Sequence, residues 1–393
     1  MLKHRQIPFL TWLLGSMMML MTAACSSSDD EGGQGAGKKL ATLAVYVYAP
    51  EQAAAKKKAP LTRGDVGEVD ADAITNEGTI KSLQIWIYES DSGDYVGYFN
   101  TEDVTALNQG QGTTYQIPVT DEFAAAKPNV DVYVMANVTN ANCGVETLDK
   151  ETTRAALLDG AKIANGKFGL EEMTRSVPDD GLPFAGKLTT QPVVGDAPAL
   201  RVGTLSSVST VSLTRAVSKL RFVFSKTTGE PTVKITSIKM NVGMIPNVEY
   251  LFKVPVSMTY NTEAKELLID AIDDVAEAAD PTNFLYLGQE AQEYEELIYK
   301  AANKQEPEKP EVTIEGPIYL RESDRQLEGT ITYTIDGGDE ESVTFQMHQA
   351  GDFSRNHTWI VYAYYAGSGG LQVQSLYVKD WSGKEITHSF YNW

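Results

Sequence analysis

Hydrophobic and polar residues alternate along much of the chain with a period of two, which is typical of half-buried β-strands. In "SLQIWIYE", for example, Leu83, Ile85 and Ile87 fall on one face. Similar runs, rich in the β-branched and aromatic residues that strands favour, follow along the chain. They are "NVDVYVMANVT", "SKLRFVFSK", "GTITYTI", "SVTFQMH", "HTWIVYAYY" and "LQVQSLYVKDW". The pattern predicts a mainly β fold built from antiparallel strands.

Segments with helical spacing are rarer, and we predict each to be a short helix laid over the edge of a sandwich. They are Leu148–Ile163, Thr262–Asp280 and Gln289–Lys304. Many strands with few helices favour β-sandwich architecture. Core-forming runs are scarce around 202–211, so we predict an N-terminal domain over 64–205 and a C-terminal domain over 206–393.

A further strand-like run lies ahead of these domains, in "LATLAVYVYA" over Leu40–Ala49. Leu43, Val45 and Val47 alternate on one of its faces. The run is followed by "KKKAPLTRGD", in which three lysines, a proline and an arginine before glycine indicate an extended, protease-accessible segment. A well-formed strand is therefore attached through a segment that is easily cut between Arg63 and Gly64.

The first 24 residues have the features of an export signal. A short basic region precedes "IPFLTWLLGSMMMLM", an apolar stretch that is too short to span a membrane comfortably. The small residues that follow end at Cys25, in a sequence that resembles the lipobox of bacterial lipoproteins. Cys25 is then lipidated and begins a polar tether, so that 25–63 comprises this tether and the leading strand. Ordinary signal-peptidase cleavage after Ala24 is the alternative.

Composition excludes several functions. The net charge of −20 argues against nucleic-acid binding, which needs a basic face. "GGQGAGKK" lacks the Ser or Thr of a phosphate-binding loop, and the histidines lack metal-ligand spacing. We find neither a G-x-S-x-G motif nor a convincing acid–base pair. We therefore expect no enzyme activity, no cofactor and no metal.

Several motifs in sequence order resemble the fimbrillins, the FimA-like and Mfa-like major subunits of protease-dependent (type V) fimbriae in Gram-negative bacteria. The motifs are "TAAC", "LTRGD", "VYVMANVT", "LPFAGK", "SLTRAVSKLRFVF", "IYLRES", "FSRNHTWIVYAYY" and "LYVKDWSGKEITHSFYNW". The resemblance covers most of the chain. It implies two tandem transthyretin-like antiparallel β-sandwich domains with a few short helices.

The resemblance also implies a function, that of a structural pilin subunit. The subunit is exported as a lipoprotein through Cys25 to the exposed face of the outer membrane. An Arg-specific surface protease then cuts after Arg63, which removes the leading strand. The subunit joins a fimbria through a donor strand over 371–393 that enters another copy or a related pilin. The donor residues are Leu371, Val373, Tyr377 and Trp381. The expected partners also include a host or bacterial surface receptor for adhesion and biofilm formation.

Three alternatives stay open at this point. The last strand of a β domain commonly closes its own sheet, so the tail need not be a donor. A surface glycan-binding lipoprotein would use exposed aromatic residues as stacking platforms, and the candidates are Trp86, Tyr95, Tyr98 and Phe99. A surface hydrolase would need a catalytic group that the sequence does not reveal. Among fimbrial roles, the cut site and patterned tail favour a stalk subunit over a tip or an anchor.

Overall fold

The structure is a computed structural model and describes residues 41–49, 77–279, 281–282, 313–347, 349–351 and 353–378. These residues form a mainly β fold with four short helices, so the predicted fold class is confirmed. Most strand pairs are antiparallel, and the parallel ones involve either the first strand or the strand that begins at Ser218.

The strands are numbered in chain order. They are β1 (Ala41–Tyr48), β2 (Leu83–Glu89), β3 (Tyr95–Thr101), β4 (Thr113–Val119), β5 (Val130–Ala136), β6 (Lys162–Ile163), β7 (Phe184–Gln191), β8 (Val193–Asp196), β9 (Ala199–Val202), β10 (Thr210–Ser212), β11 (Thr214–Arg215), β12 (Ser218–Thr227), β13 (Val233–Met240), β14 (Glu249–Tyr250), β15 (Lys265–Glu266), β16 (Glu277–Ala278), β17 (Thr313–Leu320), β18 (Glu328–Ile335), β19 (Glu341–Gln346), β20 (Thr358–Tyr365) and β21 (Gln372–Val378). The helices are α1 (Thr105–Asn108), α2 (Asp121–Ala126), α3 (Asn140–Cys143) and α4 (Arg154–Gly160).

Two sheets form the first sandwich. In one, β1 has β4 along one edge and first β9 and then β10 along the other edge, with β8 beyond β9; the second sheet has the order β11-β7-β5-β2-β3. A first core cluster of Val, Leu, Ile and Phe side chains lies between them. Although β10 and β11 follow the predicted domain boundary, they pair with strands of this sandwich. The division of the chain into two domains stays a prediction.

Two further sheets form the second sandwich. In one, β12 has β20 along one edge, with β21 beyond it, and first β17 and then β16 along the other edge. Its partner sheet has the order β15-β13-β18-β19. The second core cluster between them includes Phe222, Phe224, Trp359 and Phe353. Hydrophobic burial of this kind is the main favourable term in folding, so each sandwich has its own stabilising core.

A third core cluster covers the outer face of the β2–β5 sheet and joins it to the second sandwich. It contains Trp86 and Tyr133 from that sheet together with Phe252 and Tyr319 from later in the chain. As a result, all seven residues of β5 are buried. Sequence alternation predicts one buried face for this strand, but here both faces are covered.

The helix predictions have three outcomes. In Leu148–Ile163 the helix is limited to α4, which begins after Thr153, whose hydroxyl accepts a hydrogen bond from Ala156 N at 3.2 Å. The helix predicted over Thr262–Asp280 is wrong, because strand pairing of β15 and β16 overrides the local propensity and Leu267 enters the second core. Gln289–Lys304 lies outside the described residues.

Buried charges join segments that are far apart in sequence. Arg355 Nε lies 2.7 Å from Glu249 Oε1 and 2.9 Å from Glu322 Oε1, so two carboxylates share one guanidinium. Glu249 Oε2 also accepts a hydrogen bond from Glu322 N at 2.9 Å. Burial raises the pKa of Glu249 to about 8, because desolvation and repulsion from Glu322 outweigh the attraction of Arg355. Burial raises the pKa of Glu322 as well.

This arrangement gives a pH dependence of stability. Because folding raises the pKa of Glu249 from 4.5 to about 8, the folded protein binds more protons than the unfolded chain between these pH values. The contribution of Glu249 is therefore fully present below pH 4.5 and is lost as the pH rises toward 8. We expect the free energy of unfolding to fall as the pH rises across this window. Urea unfolding at a series of pH values measures this slope.

Glu249→Gln is the matched variant for this measurement, since it keeps the size and hydrogen-bond acceptor of the side chain but does not titrate. We expect a smaller slope in the variant, whatever its absolute stability. An unchanged slope would show that Glu249 does not titrate in this window.

Candidate functional site

The first strand is hydrogen-bonded on both of its edges. Residues 41–47 of β1 pair antiparallel with β4, from Ala41 opposite Val119 to Val47 opposite Thr113. On the other edge β1 runs parallel to β9 along 42–44 and then parallel to β10 along 46–48. The strand therefore completes its sheet from the middle, and its removal would separate β4 from β9 and β10.

The inward side chains of β1 are fully buried in the first core. They are Ala41, Leu43, Val45, Val47 and Ala49, and none is more than 1% exposed. Those of Leu43, Val45 and Val47 lie on one face, as the alternation in the sequence indicates. Fully burying an aliphatic side chain of this size contributes roughly 1.5–3 kcal/mol. We call β4, β9, β10 and the core surface that these five side chains cover the seat of β1. Without β1, this seat would be a deep apolar groove.

The outward side chains of β1 are half-buried, and one of them lies across a glycine. The Tyr46 ring reaches Gly112, the residue just before β4. A Cβ atom at position 112 would lie only 1.7 Å from the Tyr46 hydroxyl oxygen. We call this space over Gly112 on the outer face of the seat the notch, since a side chain at position 112 would have to displace the end of the Tyr46 ring.

Glu77 is the first described residue after the predicted cut, and several contacts hold it. The Tyr319 hydroxyl donates a hydrogen bond to Glu77 Oε1, and Lys219 Nζ lies 3.3 Å from Glu77 Oε2. Arg215 Nε donates to the Glu77 carbonyl at 2.9 Å. These contacts are all made with β11, β12 and β17. A cut between Ala49 and Glu77 would therefore leave β1 held by noncovalent contacts alone.

The described part of the tail lies in its own sandwich. As β21 it pairs antiparallel with β20, from Gln372 opposite Tyr364 to Val378 opposite Thr358. Leu371 is buried in the second core, Val373 packs against that core, and the backbone of Tyr377 lies opposite Trp359. The preceding "AGSGG" turn has three glycines with positive φ, at Gly367, Gly369 and Gly370.

The remaining predicted site residues lie outside the described ranges. Cys25, Arg63, Gly64 and Trp381 are among them. Within the described ranges, no group of three or more His, Cys, Asp or Glu side chains is arranged to hold a metal ion. In the same ranges, no helix is long and apolar enough to cross a membrane.

The four aromatic residues considered for glycan stacking do not form a shared platform. Trp86 is 0% exposed, and its indole N–H donates to the Asp149 carbonyl at 2.8 Å. Tyr98 packs with Trp86 on the third core, whereas Phe99 faces the first core on the opposite side of the sheet. Only Tyr95 exposes a large part of its side chain, 49%. Adjacent strand positions alternate between faces, which separates Tyr98 from Phe99.

Residues 61–215 match a family model described as the major fimbrial subunit protein (FimA). The resemblance to the fimbrillins is confirmed. The matched region begins two residues before Arg63 and ends at the last strand of the first sandwich. The description of this family model is that of a subunit of surface fimbriae. No curated protein matches the chain.

Solved structures of fimbrial proteins are also similar to this fimbrillin-like chain. The tip fimbrial protein Mfa3 of Porphyromonas gingivalis, with a C-terminal truncation, is 12% identical, with a TM-score of 0.44 over 86% of this chain and 99% of that one. A fimbrial assembly protein of Parabacteroides distasonis is 13% identical, with a TM-score of 0.44 over 88% and 97%. The fimbrial anchor protein Mfa2 of P. gingivalis is 9% identical, with a TM-score of 0.37 over 86% and 99%.

Sequence reasoning found the inward residues of β1 but missed what surrounds them. Nothing in the one-dimensional pattern indicates that β9 and β10 run parallel to β1, since these short strands lie more than 150 positions later in the chain. Gly112 and Glu77 were also missed. "GQG" ahead of a strand indicates only a turn, and one glutamate in an acidic chain carries no signal.

Truncating a buried side chain of β1 tests the depth of the seat. We expect Leu43→Ala to lower the free energy of unfolding of the uncut chain by about 2–5 kcal/mol, because it leaves a cavity in the first core. Thr42→Ser, on the half-exposed outer face of the same strand, keeps the hydroxyl that donates to the Pro198 carbonyl and should change it by about 0.5 kcal/mol or less. Chemical denaturation measures both values. Equal losses for the two variants would show that β1 is not seated as described.

Proposed function

We propose that this chain is a structural subunit of a surface fimbria, exported as a lipoprotein through Cys25 and activated by a cut after Arg63. The observation that carries the proposal is the position of β1, in the middle of a sheet yet separated in sequence from the next described residue, Glu77, by the segment that contains Arg63. The cut removes the lipid and the leading strand together. An Arg-specific surface protease performs it.

Loss of β1 creates a strong need for a replacement strand. It uncovers the groove beneath five buried side chains and leaves unpaired N–H and C=O groups along β4 on one side and β9 and β10 on the other. Exposed apolar surface and unpaired strand edges both favour association. A strand that fills the groove satisfies the backbone groups without requiring a unique sequence.

The replacement comes from the tail, 371–393, of a second copy or a related pilin. A contact between a tail and a groove is heterologous, so it generates an open fibre and not a closed dimer. Leu371 and Val373 already alternate as a groove-filling strand requires, with Tyr377 and Trp381 continuing the series. The glycine turn over 366–370 is the hinge. In the uncut chain β21 is paired with β20, so donation needs either release of β21 or use of the residues after Val378.

The stalk is the position that these features fit best. A subunit that both loses β1 and provides a tail can make one contact at each end. Adhesion to a host or bacterial surface then follows from display of the polymer. Binding of glycans by an aromatic platform is not favoured, because Trp86 is fully buried.

Controlled cleavage of the purified precursor tests the proposed function. With an Arg-specific protease we expect loss of the N-terminal fragment, a new N-terminus at Gly64 by mass spectrometry, and a ladder of high-mass species on a gel. Arg63→Ala should stay uncut at this position and monomeric. A chain that is cut cleanly at Arg63, releases β1 and still stays monomeric would contradict the proposal.

Truncation of the tail identifies the donor segment. A chain that ends at Val378 keeps β21, whereas one that ends at Gly370 lacks it. If the residues after Val378 are the donor, both truncated chains stay monomeric after cleavage. If β21 itself is the donor, only the shorter chain does. Assembly by the chain that ends at Gly370 would exclude the tail as the donor.

A further inference from the structure

The notch at Gly112 is a specific feature of the seat of β1. The three atoms nearest to a Cβ built at Gly112 all belong to the Tyr46 ring, at 1.7, 2.0 and 2.8 Å. Gly112 is not among the residues with positive φ. A side chain at this position would therefore meet the Tyr46 ring and not a left-handed backbone.

The contact follows from strand register. Tyr46 is paired with Thr114, so Gly112 lies two positions further along the neighbouring strand. Such diagonal neighbours lie within reach of aromatic side chains across an antiparallel pair. A ring that lies over a glycine also covers backbone that would otherwise be exposed, which helps to fix the pairing.

The notch specifies the register of the incoming strand, which the alternation of apolar and polar residues alone does not fix. A strand that slips by one residue turns its apolar face outward, so burial prevents this error. A slip by two residues keeps the same face inward, and the apolar groove tolerates it. A ring that fits only at Gly112 distinguishes these registers, because a slip by two moves it about 7 Å along the strand.

Gly112 lies just before β4, so the notch stays on the subunit when β1 and Tyr46 leave. We propose that the strand of a second copy that replaces β1 places an aromatic side chain in the Gly112 notch and that this ring fixes its register. This inference rests on the proposed function and adds a residue that determines which strand fits and how.

The composition of the tail supports this occupant. Five of the 23 residues over 371–393 are aromatic, against 9% for the whole chain. They are Tyr377, Trp381, Phe390, Tyr391 and Trp393. A further 15 residues follow Val378, more than the 8 residues of β1, so the tail is long enough to span the seat.

Two precursors provide a matched test. Tyr46→Ala removes the ring from β1, and Tyr46→Ala combined with Gly112→Ala adds one methyl group at the notch without a clash in the uncut chain. After cleavage and loss of β1, the first gives a wild-type subunit and the second a subunit that differs only at position 112. We expect the first to assemble at the wild-type rate and the second at least tenfold more slowly, by light scattering and gel ladder.

A rescue experiment identifies the ring. Each aromatic residue of the tail is changed to alanine in the background of the double variant. We expect one of these changes to restore assembly, because the added methyl group then occupies the space of the missing ring. Thr114→Val, on the same face of β4 and without added volume, is the control and should assemble at the wild-type rate.

The outcomes separate this inference from the proposed function. If both matched precursors assemble at the same rate, the incoming strand places no ring in the notch and the inference is wrong. If the wild-type chain is cut and does not assemble, the proposed function is wrong, and the inference that rests on it is wrong as well. If the double variant is slow and none of the five tail variants restores assembly, the ring does not come from the tail and the inference is also overturned.

Discussion

The account depends on one structural constraint: a strand that completes a sheet from its centre is attached through a segment with a predicted cut site. An edge strand can leave a sheet and expose only one row of backbone groups. Loss of β1 exposes two, because β4 lies on one side and β9 and β10 on the other. It also opens the core beneath Leu43, Val45 and Val47. A refilled seat is therefore far more stable than an empty one.

The second sandwich also has a strand with neighbours on both edges, but that strand is not attached through a long segment with a predicted cut site. There β12 has an antiparallel neighbour, β17, on one edge and a parallel neighbour, β20, on the other. Only two residues separate it from β11, so it cannot be released by a cut in a long linker. Glu77 and its contacts with Lys219 and Tyr319 hold the chain to this part of the molecule after the cut segment. Cleavage should thus affect the first sandwich and leave the second intact.

The sequence was sufficient for features that depend on local pattern. Alternation of Leu43, Val45 and Val47 predicted both the first strand and its buried face. Features that depend on tertiary pairing were not predictable in this way. The apolar spacing around Leu267 indicated a helix, but pairing with β13 makes it part of an irregular strand region. Both faces of β5 are buried because the third core covers the second face, which no periodicity along β5 can show. The contact between Tyr46 and Gly112 depends on the register between β1 and β4, which no local pattern shows.

Hydrogen exchange at the backbone amides of β4, Thr113–Val119, that donate to β1 tests the central claim most directly. These amides should be protected in the uncut chain, exchange rapidly once β1 has been cut free, and become protected again in the polymer. Protection of β12, measured in the same samples, should stay constant throughout. If β4 is equally protected before cleavage, after release of the N-terminal fragment and in any assembly, then its pairing does not depend on a strand at the seat of β1, and the account is wrong.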